Sequence, residues 1–213
     1  MILYFQISVS RPDLTEAIAT RAIERSVAER RAEYVQEIQR ILDATYRVIE
    51  RTGELDPSLR DILREAKLST QGFYRYFQSK DELLLLLLDD GRRRLVGYLE
   101  HRMARARSRD GRIRAWVEGV LAQASRPDAA SRTRPFFANE DRLAATFTDE
   151  HQASIDALLD LLAADVPNRR DAEAMYHTTF GALHAALRRG TPVTTAEIEH
   201  LVRFCIQGMG GTA

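Results

Sequence analysis

Residues 57–83 read PSLRDILREAKLSTQGFYRYFQSKDEL, and the rest of the chain is organised around them. Leu59, Ile62, Leu63 and Ala66 recur at helical spacing with polar residues between. Asp56 or Ser58 can cap the start of that helix, and Pro57 is tolerated in a first turn. Lys67-Leu68 leaves room only for a sharp corner, after which Ser69 caps a second helix expected from Thr70 to about Phe77. Phe73 and Phe77 turn inward there, and Thr70, Gln71, Tyr74 and Arg75 face outward. Ser79-Lys80-Asp81-Glu82 opens a third helix, with a serine cap and acids in its first turn. Two short helices joined by so tight a turn make a helix-turn-helix, whose second helix enters the DNA major groove.

The outward residues have the chemistry for that role. Gln71 can bond adenine through two contacts, and Arg75 can bond guanine the same way. Gly72 has no side chain to hold the helix away from the bases, and Thr70 begins the same exposed face. Tyr74, Tyr76 and Lys80 suit phosphates: a phenol donates one hydrogen bond and an ammonium neutralises charge. The plainer reading, that aromatic residues here pack a three-helix core, holds for Phe73 and Phe77. Net charge over 213 residues is zero, so composition gives no support to nucleic-acid binding. Only locally is there an excess, with Arg60, Arg64, Lys67, Arg75 and Lys80 against Asp61 and Glu65.

The run Leu68 to Leu83, together with Ile41-Leu42-Asp43-Ala44 and Gly53 upstream, resembles the signature of TetR/AcrR-family transcriptional regulators. The resemblance covers roughly residues 33–83. It implies an all-α fold, with an N-terminal three-helix helix-turn-helix DNA-binding domain and a C-terminal helical ligand-binding and dimerisation domain. Arg60 matches a position from which the family reaches a base. The implied function is transcriptional regulation as a repressor, released from a palindromic operator by a small-molecule effector. Two residues depart from the pattern. Lys67 stands where glycine is usual, and positive φ costs a lysine on the order of 1 kcal/mol. Leu63 stands where a small residue is usual. Both keep a rival in view, a small-molecule sensor or carrier whose helix-turn-helix has lost DNA binding.

Elsewhere the chain reads as almost wholly helical, with 11 glycines and 6 prolines and abundant Ala, Leu, Arg and Glu. Three segments are expected: an N-terminal extension at 1–32, part helical, the DNA-binding domain at 33–82, and the effector and dimerisation domain at 83–213. Residues 1–12 read as a tail without a secretory leader. From Asp13 a helix with a capping box and interleaved Arg and Glu follows, and Glu33 to Thr52 is the first helix of the motif, ended by Gly53. The helix from Ser79 runs to about Arg107. Arg92, Arg93, Arg94, Arg102, Arg105, Arg107 and Arg109 read as solvated helix faces rather than a second nucleic-acid patch. Pro127 and Thr133-Arg134-Pro135 read as breaks. Glu140-Asp141 and Asp149-Glu150 read as solvated corners.

Trp116, Phe136, Phe137, Phe147, Met175, Tyr176, Phe180 and His184 are candidates for lining an effector pocket, since apolar cavities with few polar groups hold small molecules. His177 and His184 lack the paired ligands a metal needs, so no metal or cofactor is expected. Gly181, Ala182, Ala185 and Ala186, then Val202, Phe204, Cys205, Ile206 and Met209, give the last two helices a face suited to a homodimer. No phosphate loop, HExxH or nucleophile elbow appears, so an enzyme is not expected. The longest apolar block, Leu83 to Leu88, is far short of the roughly 20 residues a membrane span needs. A single cysteine, Cys205, fits a reducing, cytoplasmic setting.

Overall fold

The computed structural model describes residues 14–54, 56–125 and 127–210, all helix and connecting turns. The expected tail at 1–12 lies outside them. The chain divides after Ile41 into two compact units. The first carries the N-terminal part of helix α1 (Leu14–Thr52). In it Ile18, Ile23, Val27 and Val35 are exposed, and Arg40 pairs with Glu37 one turn away. One helix thus replaces the two expected on either side of Glu33, because no Gly or Pro interrupts the run.

In the second unit, α2 (Leu59–Ala66) and α3 (Thr70–Phe73) are followed by α4 (Lys80–Ala104) and α5 (Arg109–Leu121). A 3₁₀ turn (Ala122–Ala124) leads to α6 (Pro127–Thr146), α7 (Thr148–Asp160), α8 (Arg169–Arg189) and α9 (Thr195–Gly210). Side-chain caps start most of these helices. Ser58, Ser69, Ser79, Ser108 and Asn168 each accept from the backbone N–H three residues on. Thr194 and Glu197 close a reciprocal capping box at α9.

The core is built round α5, which buries Ile113, Trp116, Val117, Val120 and Leu121 against Leu95 and Leu99 of α4, Phe180 and Leu183 of α8 and Val202 of α9. Gly119 permits the closest approach. A Cβ there would lie 2.5 Å from Leu99 Cδ2, and Leu99 is itself fully buried. Two expectations are corrected in this body. Pro135 lies inside α6 instead of breaking it. The ring costs the helix one N–H, but it is buried where Ile49, Leu84, Leu87 and Leu143 meet, and apolar packing holds the helix across it. Arg92 and Glu140 are not solvated. Arg92 is 6% exposed and binds Glu140, whose side chain is 13% exposed.

Candidate nucleic-acid interface

The corner between α2 and α3 is fixed by backbone bonds. Leu68 N–H donates to Leu63 O at 2.9 Å and Lys67 N–H to Arg64 O at 3.3 Å, the pairing of a Schellman turn. That turn demands a left-handed residue, and Lys67 supplies it at φ 52°. Lys67 is the only non-glycine at positive φ among the described residues. Leu63 and Leu68, both half-buried, stand at the two positions where this turn sets an apolar contact.

After the turn, Ser69 Oγ accepts from Gly72 N–H at 3.0 Å. Helix α3 is shorter than expected. Regular helix stops at Phe73, and Arg75 and Tyr76 continue with tighter bonds to Gly72 O and Phe73 O. Phe73 is fully buried and stacks on Phe77 with ring centroids 5.1 Å apart. That anchor turns the opposite side outward. Thr70, Gln71, Tyr74 and Arg75 are exposed, Tyr74 at 55%. Gly72 and Tyr76 are half-buried. A Cβ on Gly72 would meet Leu68 Cδ1 at 2.8 Å, so this glycine also lets α3 close on its own turn. Arg60 is exposed near the start of α2.

Salt links hold the short helices to their support. Glu65 of α2 accepts from Arg47 at 2.9 Å and Arg51 at 2.7 Å, and those two hydrogen bonds hold its carboxyl below the ordinary range. Lys80 is half-buried, its Nζ 2.7 Å from Asp56. Arg142 of α6 pairs with Asp81 in the first turn of α4. The lysine expected at phosphate is therefore held by an acid in the free protein, and α6 reaches the start of α4 directly.

Of the candidate pocket residues, Phe137 and Phe180 line a cavity of about 440 Å³ together with Tyr46, Leu88, Gly91, Arg92 and Leu95. Phe137 and His184 line a second, of about 730 Å³, beside Arg134 and Leu187. Trp116, Met175 and Tyr176 are buried in the core. Tyr176 stacks on Phe180 at 4.3 Å, and burial pushes its hydroxyl up to about 12. Phe147 is half-buried at the start of α7. Phe136 falls in α6, and its side chain lies outside the described residues. His177 is exposed. Among the described residues no group of three or more His, Cys, Asp or Glu side chains is arranged to hold a metal ion, and no helix is long and apolar enough to cross a membrane.

What sequence reasoning missed is the polar cluster beside the first cavity. Arg92 Nη2 donates to Glu140 Oε1 at 2.5 Å, and Nη1 donates to Ser154 Oγ at 2.6 Å and lies 3.3 Å from His151 Nδ1. His151 Nε2 is 3.7 Å from Glu140 Oε1, and His184 Nε2 is 3.2 Å from Oε2. Burial opposes the charge on Glu140, but His184 close beside it and the charge of Arg92 outweigh it and hold the carboxyl low. Burial, then Arg92, lowers His151. These partners lie 48 to 62 residues from Arg92 along the chain, beyond any local pattern.

A short recognition helix, braced by two supports and followed by a long helix into a helical body, defines the class: an all-helical helix-turn-helix regulator fold. Residues 41–87 match the model for bacterial regulatory proteins of the tetR family. The fold is that of solved regulators. One is the fatty acid degradation regulator FadR from Bacillus halodurans, at 17% identity and TM-score 0.63, covering 83% of this chain and 97% of that one. E. coli NemR in its reduced form matches at 16% identity and TM-score 0.61, covering 83% and 99%. A TetR transcription regulator from Haloarcula marismortui matches at 18% identity and TM-score 0.58, covering 82% and 97%. No curated protein matches.

Proposed function

We propose that this chain is a cytoplasmic, homodimeric transcriptional repressor that leaves a palindromic DNA operator when a small-molecule effector binds residues 83–213. The observation that carries the reading is the exposed face of α3. Thr70, Gln71, Tyr74 and Arg75 all face solvent on α3 and the turn that follows it, whose other side is pinned by buried Phe73. A face of that composition, fixed by its neighbours, is what direct readout of a major groove requires. In this reading Gln71 and Arg75 read bases, and Tyr74, Tyr76 and Lys80 hold phosphates. Thr70 and Gly72 line the close approach, and Arg60 reaches in from α2. No catalysis is assigned.

The dimer is placed on α8 and α9. Phe204 is 59% exposed, and a Cβ at Gly181 or Gly208 would meet nothing within 4 Å. Ala182, Ala185, Val193 and Leu201 line an apolar groove between the two helices. A two-fold dimer sets two recognition helices about 34 Å apart, one turn of the duplex. Effector binding changes the relation of those heads through α4, which starts at the head and is buried along the body by Leu95, Leu99 and Met103. The effector works by binding one arrangement better than the other.

The test is selection of duplexes from random DNA by the purified chain, followed by anisotropy titrations at several salt concentrations. Enrichment of an inverted repeat with salt-dependent binding is expected. Retention of no duplex above background would overturn the reading and favour a sensor without DNA.

A further inference from the structure

We propose that the cavity beside α4 takes an organic carboxylate with an apolar body, whose anionic group replaces Glu140 on the buried guanidinium of Arg92. This rests on the effector reading above and gives it a chemical class. The cavity, about 440 Å³, is in the range of small-molecule sites. Leu88, Leu95, Phe137 and Phe180 supply its apolar wall. Five charged side chains also line it, and of these Asp43, Arg47, Glu50 and Arg94 are exposed while Arg92 alone is buried. A buried arginine beside an apolar wall can seat a flat oxyanion through both Nη atoms once its present partners give way.

One acid serves the whole cluster. Three groups able to carry positive charge, Arg92, His151 and His184, converge on the single carboxylate of Glu140. His151 avoids charge by accepting: its Nδ1 faces Arg92 Nη1, so the proton of the neutral ring belongs on Nε2. The other groups around the cluster are Asp141 beside Glu140 on α6, which acts on His151 from an exposed position, and the neutral phenol of Tyr176 on α8. A second carboxylate drawing the guanidinium to itself removes the donor at Nδ1 and the positive charge that opposes protonation. His151 can then take a proton, and two cations balance two anions. Binding therefore tightens as pH falls from 8 to 6, with uptake of about one proton per site. Glu140 then turns from Arg92 of α4 to His151 and His184, two residues from Arg142, which pairs with Asp81 at the start of α4.

The experiment is calorimetric titration of the full chain at pH 6 and pH 8 with octanoate, 4-phenylbutyrate and indole-3-acetate, each beside its primary amide. At least one carboxylate is expected to bind tenfold or more tightly than its amide, several-fold better at pH 6, with a buffer-dependent heat reporting proton uptake. Glu140→Gln, which removes the competing charge, should tighten carboxylate binding about tenfold. Arg92→Met alone leaves Glu140 buried without its partner, so the double variant Arg92→Met/Glu140→Met is the control, folded by circular dichroism and without carboxylate preference. Amides binding as well as acids, no member of any pair binding, or unchanged preference in the double variant would each overturn the proposal. Anisotropy with a selected duplex separates this from the broader reading. Release of DNA by the amides but not the acids sinks only the carboxylate class, whereas failure to hold any duplex sinks the repressor and leaves the titration to decide the site.

Discussion

Lys67 shows what a single backbone angle does here. The turn between α2 and α3 needs a left-handed residue whatever its side chain, and Lys67 takes φ 52° because the bonds from Lys67 and Leu68 to the end of α2 fix it there. Lys67→Gly should raise stability by up to about 1 kcal/mol, the relief of left-handed strain less the entropy a glycine loses, read as a higher urea midpoint with an unchanged slope. The residues assigned to DNA in α3, the turn after it and the start of α4 divide by what they touch in the proposed complex. Tyr74→Ala and Lys80→Ala should weaken selected and random duplexes alike. Gln71→Ala and Arg75→Ala should relax base preference by about 1–3 kcal/mol per lost bidentate pair, measured by competition anisotropy. Equal losses on all sequences for all four would refute the division. These residues were legible because caps, an apolar spacing of three and four, and a short corner are all local signals. Arg92 and Glu140 were not: a run of arginines on a long helix looks the same whether one of them meets a buried acid or water.

Helix α6 is the element whose behaviour sequence rules alone misjudge. Pro135 is a helix breaker by its own chemistry, yet burial among apolar side chains from α1 and α4 outweighs one lost N–H bond, a cost of about 3 kcal/mol. The same helix brings Glu140 to Arg92 and His151, and this sets the acid response. His151 is held below the imidazole value near 6.5 by burial and by Arg92. The native state therefore binds fewer protons there than the unfolded chain, and the histidine's contribution is intact above pH 6.5 and drains as pH falls below it. Glu140 lies below the ordinary carboxylate value of 4.5, so its contribution is complete above pH 4.5 and is lost on further acidification. Urea midpoints should be flat from pH 8 to 7 and decline below about 6.5. His151→Gln should flatten the segment between pH 6.5 and 5, and a variant that declines as the parent does would show the cluster irrelevant to it.

At the scale of the molecule, the all-helical class was visible in composition and spacing, and the helix-turn-helix in one stretch of 27 residues. How the later helices assemble was not visible, since a small-residue stripe on α8 and a bulky one on α9 serve a core and a dimer face equally well. The structure divides them: Ala186, Val202 and Cys205 are buried in the chain's own core, and Phe204 is exposed. Phe204→Asp should shift the protein to monomer in sedimentation at micromolar concentration, with loss of inverted-repeat binding and an unchanged circular dichroism spectrum. A dimer that persists would move the interface elsewhere.

Arg47 stands on the wall of the 440 Å³ cavity and also clamps Glu65 of α2 at 2.9 Å. The support of α2 is thus built partly from a side chain that also borders the cavity. A molecule settling against that guanidinium would compete with Glu65 for it, leaving Arg51, 2.7 Å from the other carboxylate oxygen, as the remaining clamp on α2.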